Sequence, residues 1–299
     1  MRLNGLEVPP GLSKMFSQEV SLDIFRKICL CRNFELNVKK AYDAKRITPP
    51  IYLSLGQESI TAALSVVLPD AYKLGQHRCH DIYICWGGKL EALRDELLGL
   101  PTGCAGGMGG SASIHCPEIK MIGHDGHMGT QVPIAGGFAQ GTGEICIAIM
   151  GDASAEEGYV LGDMGKSASR KDPVLYVCYD NNLSIKTEVE VRRSWKMVDI
   201  ARAFGMPAAD IVDDPWLVMH YTERMKKNLP AFLNIHTCRE LWHAGTGCDG
   251  TPEWNRYEMV KTELILLGLK SEIQHIENSA SGRMDNLWED VLYPKKESI

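Results

Sequence analysis

The 299-residue chain is 44% hydrophobic and 23% charged, with a formal net charge of −6, an ordinary globular composition that gives no basic surface for nucleic acid. It is long enough for one large α/β core or two modest ones. Its 10 cysteines include several inside apolar runs (Cys29, Cys31, Cys146, Cys178), which read as small buried hydrophobes in a reducing compartment, not as a disulfide framework. No apolar signal segment follows Met1 and no run reaches membrane-spanning length, so a cytoplasmic location with no membrane partner is the expectation.

Residues 1–17 read as a loosely structured arm broken by Pro9-Pro10-Gly11, and residues 18–299 as one α/β domain with a helical C-terminal tail. Leu22, Phe25, Ile28, Cys29, Phe34, Val38 and Ala41 recur at helical spacing up to about Lys45, before Pro49-Pro50. A second helix is expected over Gln57–Leu68, with a buried face rich in alanine and valine. Leu90–Leu98 mixes charge and leucine like an exposed amphipathic helix. Gly99–Gly129 is dense in glycine and has no periodicity; a loop of that length in a compact domain is usually functional or disordered. Pro133 suits the first turn of a helix running to about Gly141.

Two apolar runs follow, Ile145–Met150 and Val174–Tyr179. Each has strand length and a polar stop, Asp152 for the first and Asn182 for the second. The helix-length segment Gly158–Ser169 lies between them, so the unit reads strand–helix–strand with parallel pairing. Further along come a short helix at Trp195–Phe204, a helix capped by Asp213-Asp214-Pro215, a buried strand at Ala231–Cys238, and helical pieces from Glu253 on. Strands alternating with helices argue an α/β fold with a mainly parallel sheet flanked by helices.

In a parallel unit the carboxyl ends of the strands share one edge, where ligands bind. Asp152 and Asn182 are then neighbours, and hard oxygen donors of this kind suit Mg²⁺, which fills the rest of its shell with phosphate oxygens and water. The pattern Gly151-Asp152-Ala153, a helix-length spacer, then Asn181-Asn182 resembles the thiamin diphosphate fingerprint. Four more segments resemble the blocks of one family, in that family's order: Gly56–Ile60, Gln76-His77-Arg78-Cys79-His80, Gly106–Ser111 and Gly129–Pro133. Thr237-Cys238-Arg239 through His243 is a fifth. The family is the alpha subunit of the thiamin-diphosphate-dependent 2-oxo acid dehydrogenases, and the resemblance spans about Phe25 to Leu267.

The resemblance implies a thiamin-diphosphate-binding fold and a set of site residues. Asp152, Asn182 and the carbonyl of Ser184 would hold Mg²⁺. Arg78 would pair with diphosphate, flanked by Gln76 and His77, with Ala153 and Ser154 at the strand-end turn. Gly126 and Met128 match positions that hold the aminopyrimidine, and Thr130 and Gln131 resemble residues that bind a monovalent cation in some members. His243, His80 and His115 are the candidates for proton transfer or orientation, in that order. His77, Cys79 and His80 could suggest zinc, but no second cluster completes a site.

The chain departs from the family pattern at Ala153, where the family has a second glycine, at His77, where it more often has tyrosine, and at Ala244, which follows His243 where regulated members often carry serine. Nothing in the sequence resembles the surroundings of the glutamate that activates the cofactor. The resemblance places that glutamate on a beta subunit in an α2β2 assembly, and implies a small 2-oxo acid or ketol substrate with a lipoyl-bearing acyltransferase as acceptor. Two alternatives stand beside this reading: half of a split transketolase-like enzyme passing a ketol or acyl unit to an aldehyde, and a non-catalytic relative that has lost the cofactor.

Overall fold

A computed structural model of the chain describes residues 2–3, 5–7, 9, 11–248 and 250–294. Pro10 of the expected breaker lies outside them. Six strands form one sheet: β1 (Tyr72–Leu74), β2 (Met121–Ile122), β3 (Cys146–Gly151), β4 (Val174–Asp180), β5 (Ala208–Val212) and β6 (Ala231–His236). Their spatial order is β2-β1-β3-β4-β6-β5, and every pairing is parallel. The strand–helix–strand unit is as the apolar runs suggest. β3 and β4 pair directly, from Cys146 opposite Val174 to Gly151 opposite Tyr179, with α6 (Gly158–Arg170) as the crossover.

The central strands are buried on both faces, which is why they read as continuous hydrophobic runs. Ile147, Ile149, Leu175 and Val177 point to one core, shared with α1 (Gln18–Asp43), α2 (Glu58–Val67), α3 (His80–Cys85), α4 (Leu90–Leu97) and the helices after β5. Ala148, Met150, Tyr176 and Cys178 point to the other, shared with α5 (Gln131–Thr142), α6 and α8 (Met197–Ala203), while the single helical turn Val189–Arg192 is α7. Asp214 caps α9 (Pro215–Met225), its carboxylate accepting from the Leu217 N–H at 3.0 Å. The C-terminal helices α10 (Arg256–Leu266) and α11 (Lys270–Leu292) are part of the first core, where Trp288 packs edge-on to Phe34 with ring centroids 5.5 Å apart.

Several expectations are revised. α4 is not simply an exposed helix, since Leu90, Leu93, Asp95, Glu96 and Leu97 are all buried. The short strands β1, β2 and β5 were not expected, and β2 lies inside the glycine-rich stretch read as a loop. The arm includes a two-stranded hairpin, Arg2–Leu3 with Leu6–Glu7, and a 3-10 turn at Leu12–Met15. Among the described residues no helix is long and apolar enough to cross a membrane.

Candidate active site

The carboxyl ends of β3 and β4 open into a cavity of about 430 Å³. Its walls are the strand-end residues Gly151–Ser154, the turn after β4, the loop after β1 with Gln76, His77 and Arg78, part of the glycine-rich loop at His124, Gly126 and Met128, and Arg239 and His243 beyond β6. The topology accounts for this convergence. All the contributing strands run the same way, so their following loops meet on one edge.

Histidine and arginine side chains dominate one end. Arg78 is almost fully buried and donates to the Leu53 carbonyl and, at 3.1 Å, to the His243 carbonyl, which ties two cavity loops together. His77 packs edge-on against Tyr52 (4.8 Å between centroids) and lies 5.2 Å from the His243 ring. Both His77 ring nitrogens are buried without a hydrogen-bond partner among the described residues, as is Nε2 of His124. Burial, reinforced by the Arg78 charge, pushes the His77 imidazolium pKa down to about 2, so the ring is neutral at ordinary pH. A neutral imidazole offers one donor and one acceptor, and leaving both unused in a cavity wall is costly unless a ligand meets them.

At the other end, Asp152 follows β3 and is 2% exposed. Burial and the nearby Asp180 raise its pKa, opposed by a salt bridge from Arg192 of α7. Arg192 also reaches Glu156 at 3.1 Å, and Arg193 donates to the Asp152 carbonyl at 2.8 Å. Ala153 has φ −75° and ψ −40°, an unstrained right-handed conformation. Replacing the family's glycine therefore costs no backbone strain here. Gly126, by contrast, has φ +97°, where a side chain would be strained. The Met128 carbonyl accepts from the Tyr159 hydroxyl.

Of the residues singled out from sequence, Gln76, His77, Arg78, Gly126, Met128, Asp152, Ala153, Ser154, Ser184 and His243 line this one cavity. Asn182, His80, His115, Thr130, Gln131 and Cys79 do not. Asn182 is exposed with φ +64°, and its side-chain oxygen accepts from the Val189 N–H at 3.1 Å; the neighbouring Asn181 lines the wall instead. The expected metal set of Asp152, Asn182 and Ser184 is thus not drawn together in this conformation. His80 is fully buried behind the wall, in α3. His115 is exposed and accepts from the Gly123 N–H at 3.2 Å. Thr130 donates to Asp125 at 2.6 Å, while the side-chain oxygen of Gln131 is buried without a partner among the described residues.

Tyr52, His124 and Arg192 are site residues that sequence reasoning missed. Tyr52 follows the Pro49-Pro50 break, and Arg192 lies in a charged stretch with no strand or helix periodicity. Only their position in space marks them.

The model of the dehydrogenase E1 component family matches residues 26–227. The chain belongs to the dehydrogenase E1 component family. Its curated relatives include the testis-specific pyruvate dehydrogenase E1 component subunit alpha of Rattus norvegicus, 30% identical over 191 residues (62% of this chain, 48% of the relative). The somatic form of Homo sapiens is 29% identical over 194 residues (63% and 49%). Subunit alpha-1 of Arabidopsis thaliana is 32% identical over 186 residues (60% and 48%). The names of all three relatives describe them as mitochondrial. The chain spans about half the length of the curated relatives it matches.

Proposed function

We propose that this E1-family chain is the alpha subunit of a thiamin-diphosphate-dependent enzyme that decarboxylates a 2-oxo acid and passes the acyl unit to a lipoyl acceptor. The observation that carries the reading is the convergence of the Gln76–Arg78 loop, the Asp152–Ser154 turn, Gly126, Met128 and His243 on one cavity.

The residues present fit the cofactor. The single N–H of the neutral, buried and unpartnered His77 ring and the guanidinium of Arg78 suit diphosphate oxygens. Asp152 suits Mg²⁺, and Ser184, the other proposed ligand, lines the same cavity; metal binding there requires Arg192 to release the carboxylate, and Asn182 to turn if it is to serve as a ligand. Gly126 and Met128, both on the cavity wall, are the residues proposed for the aminopyrimidine.

Thiamin diphosphate, when bound, supplies a carbon nucleophile and an electron sink. The chain's own contribution is to bind and orient. Arg78 and His77 fix the anionic end, Arg239 presents a cation to an acidic substrate, and His243 is placed to exchange a proton or orient the reacting group. Glu157, a further carboxylate on the cavity wall, lies exposed at the rim, which supports a partner as the source of a desolvated activating glutamate. The exposed apolar side chains of Met128, Tyr159 and Ile185 around the mouth give a beta subunit a surface to cover.

The test is turnover. Co-expression with a beta-type chain should give decarboxylation of 2-oxo acids with an artificial electron acceptor, and the isolated chain should give none. His243→Ala in the complex should lower turnover by about 10²–10⁴-fold. Full activity without any partner detectable by mass spectrometry would refute the split-site reading. A loss below about threefold would remove His243 from the machinery.

A further inference from the structure

Behind the cavity lies a hydrogen-bonded chain of fully buried polar groups. Glu35 of α1 lies 2.9 Å from Nδ1 of His80, and Nε2 of His80 lies 2.9 Å from the Ser111 hydroxyl. That hydroxyl accepts from the Tyr52 N–H at 2.9 Å, and the second oxygen of Glu35 accepts from the Ser54 N–H at 2.7 Å. Glu35, His80 and Ser111 are 0%, 0% and 3% exposed. None of them lines the cavity.

The donor count fixes where the protons sit. A serine hydroxyl has one hydrogen to give, and its oxygen already accepts from Tyr52. Glu35 as a carboxylate can only accept. One arrangement satisfies every member: His80 donates from Nδ1 to Glu35, Ser111 donates to Nε2, and the two backbone N–H groups donate in from either side. The arrangement resembles a serine–histidine–acid triad, but the serine is sealed from any substrate, so it has no nucleophilic role.

What the chain of bonds does hold is the segment 52–54. Tyr52 N–H is held by Ser111, Ser54 N–H by Glu35, and the Leu53 carbonyl by Arg78. This segment carries the Tyr52 ring into the cavity wall, against His77 at 4.8 Å and His243 at 5.8 Å. We propose that His80 is a positioning residue: through Ser111 it sets the backbone at Tyr52, and Tyr52 in turn sets the rings of His77 and His243. The role in cofactor binding rests on the function proposed above; the ring geometry does not.

Removing the Ser111 hydroxyl leaves the Tyr52 N–H and His80 Nε2 without their partner. The full-length Ser111→Ala chain, labelled at histidine, would be compared with wild type by imidazole NMR. A core variant, Leu64→Val in α2, serves as control because Leu64 is fully buried and does not line the cavity. The expected result is an Nδ1-protonated His80 in wild type, displaced His77 and His243 ring signals in Ser111→Ala, and unmoved signals in Leu64→Val. Thiamin diphosphate affinity, measured by calorimetry on the chain assembled with a beta-type partner, should fall about 10-fold or more in Ser111→Ala, in the range of losses seen when a supporting shell is removed. His80→Gln, which keeps a bond to only one neighbour, is the second variant and should displace the same two rings. Unmoved ring signals in both variants, equal movement in the control, or an Nε2-protonated His80 would overturn the proposal. If wild type binds no thiamin diphosphate, the proposed function falls, and the ring signals still decide the positioning role.

Discussion

His236, at the carboxyl end of β6, meets Asp210 in the middle of β5 with Nε2 and Oδ1 2.7 Å apart, and Asn234 donates to both Asp210 and Asp180 at 2.9 Å. Burial alone would push the His236 pKa down, but the Asp210 hydrogen bond and the Asp180 charge outweigh it and raise the value above the usual 6.5. Asp210 shifts the other way: its burial is outweighed by the bonds from His236 and Asn234, and its pKa falls below 3.8. A raised histidine contributes stability that is full below about 6.5 and is lost as pH climbs through the folded value; a lowered aspartate contributes stability that is full above about 3.8 and is lost as pH falls through its folded value. The gap in melting temperature between wild type and Asp210→Asn should therefore be widest between about pH 4 and 6.5 and narrow at higher pH. Parallel melting curves across that range would contradict the pairing. At this scale the sequence was partly legible. Asp152 could be found because a charge that ends an apolar strand run marks the ligand edge. Asn182 could be named but not oriented, since its left-handed backbone and its bond to Val189 depend on the turn that follows.

The glycine-rich loop after α4 is organised by one side chain. Glu96, 1% exposed, accepts from the N–H groups of Ala105 (2.7 Å), Gly107 (2.9 Å), Gly109 (2.7 Å) and Gly110 (3.0 Å). Gly107 has φ +76°, and a Cβ there would come within 2.6 Å of the Leu100 carbonyl, so the turn admits no larger residue. Glu96→Gln replaces one acceptor oxygen with a donor facing two N–H groups. Leaving those groups unsatisfied costs about 1–3 kcal/mol each, so a loss of roughly 2–6 kcal/mol is expected, with faster hydrogen exchange over 103–110. Wild-type exchange in the variant would show that the loop does not depend on Glu96. The loop's importance was readable from its glycine content; the carboxylate that shapes it was not, because Glu96 looks like a surface charge on an amphipathic helix. The same reason hid β1 and β5. Each is short and carries a polar residue mid-strand, Lys73 in one and Asp210 in the other, which breaks the apolar run. Lys73 is nonetheless buried, donating to the Ile119 carbonyl with its ammonium 5.1 Å from the centre of the Trp86 ring.

Taken whole, the molecule is a parallel sheet with a helical layer on each face and a cavity along one edge. The two apolar faces of β3 and β4 fix where Asp152 stands, and the common strand direction brings the loops after β1, β3, β4 and β6 around it. This much followed from the alternation of strands and helices. The apolar rim did not, because Met128, Tyr159 and Ile185 come from separate segments. The most direct test is a calorimetric titration of thiamin diphosphate, with and without Mg²⁺, into wild type and Asp152→Ala, each assembled with a beta-type partner. Wild type should bind in a Mg²⁺-dependent manner, and Asp152→Ala should lose at least about 100-fold in affinity, since even groups that only support a metal ligand are worth 10–100-fold. Its melting temperature should hold, because Arg192 keeps Glu156 as a partner. No binding by wild type, or equal binding by Asp152→Ala, would contradict the account.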